Sequence, residues 1–142
     1  EPTAGLDVSV QGELLNLLAK LQDDIGLSFV IISHNLNVVK HISDKMGIMY
    51  LGRFVEEGLT DDIFQHPKHP YTFSLLSANP EPDPDAELNR VELLGDPPSI
   101  MHRPQGCEFH TRCPFVKEKC KIEIPQIVYP EQSQAYSCHY SL

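Results

Sequence analysis

Leu27-Ser-Phe-Val-Ile-Ile-Ser33 is a short, almost unbroken apolar run rich in β-branched residues. Such a run reads as a strand buried on both faces, the kind that belongs to a parallel sheet covered by helices. The flanks agree with that reading. Upstream, Asp7 stands where an N-cap starts a helix near Val8, and Leu14, Leu17, Leu18, Leu21 and Ile25 recur at helical spacing. Gly26 occupies the place of a left-handed C-terminal cap. Downstream, a short helix is expected from Asn35 to Ile42, with Val38, Val39 and Ile42 inward. Lys45 to Leu51 and Arg53 to Glu57 read as two strands joined at Gly52. The expected fold class is therefore α/β.

Further along, Thr60 is the expected N-cap of a helix, with Asp61 and Asp62 placed well against its dipole and Pro67 ending it. Pro70 can open the next helix, on which Tyr71, Leu75 and Leu76 share a face. His66 and His69, at i and i+3 with Pro67 between them, do not share a helical face and read as structural. Pro80-Glu-Pro-Asp-Pro-Asp85 can form neither a helix nor a central strand. It reads as an extended linker, which divides the chain into residues 1–80 and a Pro- and Cys-rich, irregular extension over 81–142.

Charge narrows the function. Twenty acidic residues stand against eleven basic ones, a net charge of −9, so a nucleic-acid partner is not expected. No run of about 18 apolar residues occurs, so no membrane-spanning helix is expected. The four cysteines, Cys107, Cys113, Cys120 and Cys138, all follow residue 106, and the sequence shows no secretory signal. Such clustering favours a shared metal site or reduced thiols over disulfides. Thiolates select zinc or an iron–sulfur cluster. The spacing matches neither the usual zinc knuckle nor the ferredoxin patterns, and His102, His110 and His139 lie close enough in sequence to be rival ligands. A staple of this kind would help a segment with so little apolar periodicity to fold.

Glu1-Pro-Thr-Ala-Gly-Leu-Asp7 resembles the segment that follows the Walker B aspartate in ABC-type ATPases. About thirty residues later, Ile32-Ser-His34-Asn-Leu36 resembles the switch-histidine segment of the same family. Strand, histidine and helix stand in the family's order. The resemblance implies that Glu1 is the catalytic carboxylate acting on water, that His34 is the switch residue reaching the γ-phosphate, and that Asp7 belongs to the loop crossing the dimer interface. Gly106-Cys-Glu-Phe-His110, Arg112-Cys-Pro114, His66-Pro-Lys-His-Pro-Tyr-Thr72 and Gly95-Asp-Pro-Pro-Ser99 resemble one subfamily, the ATPases of oligopeptide and dipeptide importers.

That resemblance implies a fold: the C-terminal part of a P-loop, ABC-type nucleotide-binding domain followed by a small Cys-rich extension. It implies a function, ATP hydrolysis coupled to peptide import, with ATP and Mg²⁺ as ligands. It assigns a [4Fe–4S] cluster to Cys107, Cys113, Cys120 and Cys138, with zinc as the alternative. The implied partners are a second ATPase subunit, two transmembrane permeases and an extracellular solute-binding protein, at the cytoplasmic face of the membrane. The departures are equally definite. The sequence contains no G-x-x-x-x-G-K-[S/T] loop, no aspartate before Glu1 and no L-S-G-G-Q signature. The 142 residues alone are thus expected to be inactive toward ATP. Their central strand, lacking neighbours, is expected to drive self-association or strand swapping. The alternative reading is a non-catalytic metal-binding or regulatory module derived from such an ATPase.

Overall fold

The computed structural model describes residues 5–79, 91, 93–130 and 134–142. They form a mixed α/β chain with two compact units, Glu1–Ser43 and Asp44–Leu142.

The first unit is helical. Helix α1, Val8–Ile25, is capped by Asp7, whose carboxylate accepts the Val10 N–H at 2.9 Å, and closes on Gly26 at φ 67°. Helix α2, Leu36–Ile42, is capped by Asn35, whose side-chain oxygen accepts the N–H groups of Asn37 and Val38. Leu15 and Val38 are the buried apolar side chains of this unit among the described residues. The expected apolar stripe on α1 is only partly covered, since Leu17 and Ile25 remain more than half exposed.

The strand expected at 27–33 does not form. The segment has no ladder partner among the described residues, and Val30 is 96% exposed and Ile32 78%. A strand is stable only when its N–H and C=O groups pair, and the described residues supply no neighbour for this one. The expected parallel sheet is accordingly not formed within the described residues.

The second unit is built on a hairpin. Strand β1, Lys45–Tyr50, and strand β2, Arg53–Leu59, pair antiparallel through a turn at Leu51 (φ 47°) and Gly52 (φ 79°). Met46, Ile48 and Tyr50 alternate inward. The register shifts between Ile48, opposite Glu56, and Met49, opposite Phe54, so Val55 is an extra residue and the strand bulges. Helix α3, Thr60–Gln65, follows directly. Its N-cap is Leu59 rather than Thr60, and the buried Thr60 donates its N–H to Asp44 O instead. Helix α4, Pro70–Ser77, starts with proline at its first position and is capped by His69. Pro70, Thr72 and Ser74 are its buried side chains, while Tyr71, Leu75 and Leu76 are half-buried.

The extension is tied into this unit. A short helix α5, Glu118–Ile122, and a two-residue strand β3, Ala135–Tyr136, are its regular elements. Strand β3 pairs with Glu56 and Glu57 of β2, giving the sheet order β1-β2-β3. Residues on both sides of position 80 thus share one sheet, and the compact units divide at Ser43/Asp44.

Candidate functional site

Glu1 lies outside the described residues. Asp7 is exposed and makes the cap bond of α1. His34 is exposed and stands two residues before α2. The backbone around it is fixed by side chains: Ser33 Oγ accepts the Asn35 N–H at 3.1 Å, and Asn35 in turn caps the helix. An exposed imidazole on a braced turn is suited to meet a ligand arriving from outside.

The four cysteines converge. Cys107, Cys113, Cys120 and Cys138 line one cavity together with His69 and Phe109, and all four are free thiols. Local structure explains the meeting. The Cys107 N–H donates to Cys120 O at 2.8 Å, placing the loop at 106–107 against α5. Gly106 allows that approach: its φ is 73°, and a Cβ there would sit 2.5 Å from Cys120 O. Strand β3 delivers Cys138 through the Ser137 N–H, which donates to Val55 O at 2.9 Å. Glu108 anchors the same loop to the hairpin turn, because Arg103 contacts Glu108 at 2.8 Å and also donates to Leu51 O.

Burial raises the proton affinity of Cys107 and Cys138 and pushes Cys113 up to about 11. Backbone N–H groups act in the opposite direction: those of Phe109 and His110 toward Cys107, of Phe115 toward Cys113 and of Tyr140 toward Cys138. The neighbouring thiols raise it further, Cys138 acting on Cys113 and Cys120 on Cys107. Mutually proximal thiols held neutral by burial are poor nucleophiles at neutral pH. They become thiolates when a positive centre compensates the charge. Sulfur-directed N–H groups serve ligand thiolates in the same way. Among the described residues no three His, Cys, Asp or Glu gather closely enough to hold a single metal ion.

The rival histidines are partly committed. His110 places Nδ1 2.8 Å from Cys107 O, and His139 places Nε2 2.9 Å from Glu123 O. His102 is exposed and does not line the cavity.

The sequence reading missed a buried polar knot beside this cavity. Glu56 is fully buried and accepts the N–H groups of Lys68 at 2.6 Å and His69 at 2.9 Å. Gln134 Nε2 reaches both Glu56 Oε1 and the carbonyl of His66. The knot fastens the His66–Pro70 loop to β2 and to the start of β3. Next to it, Tyr50, Tyr71, His69 and Phe109 pack edge-on or tilted, with the centroids of contacting rings 4.8 to 5.6 Å apart.

Residues 55–120 match the family model described as the C-terminal region of oligopeptide/dipeptide transporters. The whole chain has close relatives. It is 44% identical over 141 residues to the di/tripeptide transport ATP-binding protein DppF of Pseudomonas aeruginosa, covering 99% of this chain and 43% of that protein. It is 45% identical over 140 residues to the dipeptide transport ATP-binding protein DppF of Haemophilus influenzae, with the same two coverages. It is 45% identical over 139 residues to a probable peptide ABC transporter ATP-binding protein of Sinorhizobium fredii, covering 98% of this chain and 39% of that one. The chain thus spans less than half the length of these curated relatives.

Proposed function

Because the chain carries the C-terminal region of oligopeptide/dipeptide transporters at 55–120 and is related along its length to their ATP-binding proteins, we propose that it serves the ATP-hydrolysing subunit of a peptide importer. The observation that carries this reading is identity of 44–45% across 98–99% of the chain to such proteins. In the intact ATPase, Glu1 orients the attacking water and accepts its proton. His34 donates a hydrogen bond to the γ-phosphate from its braced, exposed turn. Asp7, while capping α1, faces the second ATPase subunit across the dimer interface. The phosphate loop and the Mg²⁺-binding aspartate are not among these 142 residues, so the chain alone does not hydrolyse ATP. The partners are the second ATPase subunit, two permeases and an extracellular solute-binding protein, and the subunit sits peripherally on the cytoplasmic face.

The Cys-rich extension over 81–142 holds a [4Fe–4S] cluster through Cys107, Cys113, Cys120 and Cys138. Support comes from the cavity that the four cysteines share and from the sulfur-directed N–H groups. The cluster would supply a covalent staple and a one-electron redox centre. The division at 80/81 is then one of role, ATPase against extension, within a chain whose second unit spans both.

A chimaera tests the function. Residues 1–142 replace the corresponding segment of the P. aeruginosa relative in a strain unable to import dipeptides. Growth on dipeptides that is abolished by Glu1→Gln, and reduced about 10²-fold or more in ATP turnover by His34→Ala, supports it. A chimaera that reaches the membrane and hydrolyses no ATP overturns it.

A further inference from the structure

We propose that His69 is a positioning residue of the four-cysteine cavity, turning an Nε2–H toward the group that the thiols hold and setting its redox character. The inference rests on the cluster reading given above.

The ring's chemistry is fixed by the helix it caps. His69 Nδ1 accepts the Tyr71 N–H at 3.0 Å, so that nitrogen carries no proton and the neutral ring bears its hydrogen on Nε2. The side chain is 1% exposed and lines the cavity alongside all four cysteines. Nε2–H is then the one hydrogen-bond donor the ring can offer to a group in the cavity that His69 lines. The ring is also locked in place. Glu56 holds the His69 main-chain N–H at 2.9 Å, Pro70 stiffens the next bond, and Phe109 packs against the ring at 5.6 Å. A rigid, buried ring lining the same cavity as four cysteines has a thiolate, or the sulfide of a cluster, as the acceptor class proposed here. Hydrogen bonds to those sulfurs offset negative charge and favour the more reduced state. Its neighbour His66 does not line the cavity and has no such role.

The experiment compares the wild-type chain with His69→Asn, purified without oxygen. Asparagine is a preferred N-cap and keeps the bond to Tyr71 while removing the ring N–H. Iron and acid-labile sulfide are measured first, then the midpoint potential by dye-mediated titration. Equal iron and sulfide, with the variant's midpoint more negative by about 59 mV (tenfold in a one-electron equilibrium), is the expected result. Equal contents with unchanged midpoints overturn the role of His69 and leave the cluster standing. A wild-type chain without iron and sulfide overturns the cluster reading, and the donor role with it. Nitrogen-15 NMR of the metal-free wild-type chain gives a check that needs no variant: His69 is expected as the Nε2–H tautomer, and the Nδ1–H tautomer overturns the inference.

Discussion

The carboxylate of Glu56, fully buried on β2, accepts the main-chain N–H of His69 at 2.9 Å, and of Lys68 at 2.6 Å. Two strand-to-loop bonds from one side chain hold the helix cap, and through it one wall of the cysteine cavity. Glu56→Ala leaves both N–H groups and the Gln134 amide without this acceptor and is expected to cost about 4 kcal/mol. Glu56→Gln keeps one acceptor oxygen and is expected to cost about 2 kcal/mol. Urea unfolding of the second unit measures both.

Burial lowers the His69 pKa from 6.5 to about 4. As pH falls, the unfolded chain takes up this proton first. The stability contribution is therefore complete above pH 6.5, declines between 6.5 and about 4, and levels off below. The full effect is on the order of 3 kcal/mol. Because His69→Asn cannot titrate, the difference between wild type and variant in urea midpoint against pH isolates this slope. Parallel curves would show that the ring is accessible to protons in the fold.

Gly106 and Gly52 separate crowding from backbone strain. Both have positive φ, 73° and 79°, but a Cβ at Gly106 would strike the main chain of Cys120 and Lys121, while at Gly52 it meets open space. Gly52→Ala is expected to cost about 1 kcal/mol. Gly106→Ala is expected to cost about 3 kcal/mol or more and to lower iron content, since the displaced residue adjoins Cys107. Equal costs at the two positions would contradict the close approach.

Val30 is 96% exposed within an uncharged, β-prone run. The chain is expected to self-associate through this segment, and Val30→Lys is expected to shift sedimentation toward monomer. The unfolding midpoint of the second unit should not change. Identical sedimentation of the two would place association elsewhere.

Sequence made much of this legible, and where it did not, geometry gives the reason. Asp7, Gly26 and Pro70 were readable because capping chemistry is local: one side chain, one φ, one missing N–H. Leu27–Ser33 misled because a strand's existence depends on neighbours outside the segment. Glu56 was hidden by the bulge at Val55. Strict alternation puts Phe54 and Glu56 on one face, whereas the extra residue sends Phe54 out over Gly47 and Glu56 into the core. The cysteines were legible as a set from their clustering. His69 was not legible as their neighbour, because only tertiary packing sets a residue of the 66–72 motif beside residues 107–138.

The bond between Gln134 and Glu56 spans 78 positions of sequence. On a ribosome moving at about 5–20 residues per second, Gln134 emerges roughly 4–16 s after Glu56. Throughout that interval a β1–β2 hairpin would have an unpaired edge and a carboxylate whose amide partner is not yet synthesised. The hairpin edge therefore has to wait for residues 134–136, and the cysteine cavity closes only once Cys138 has followed them.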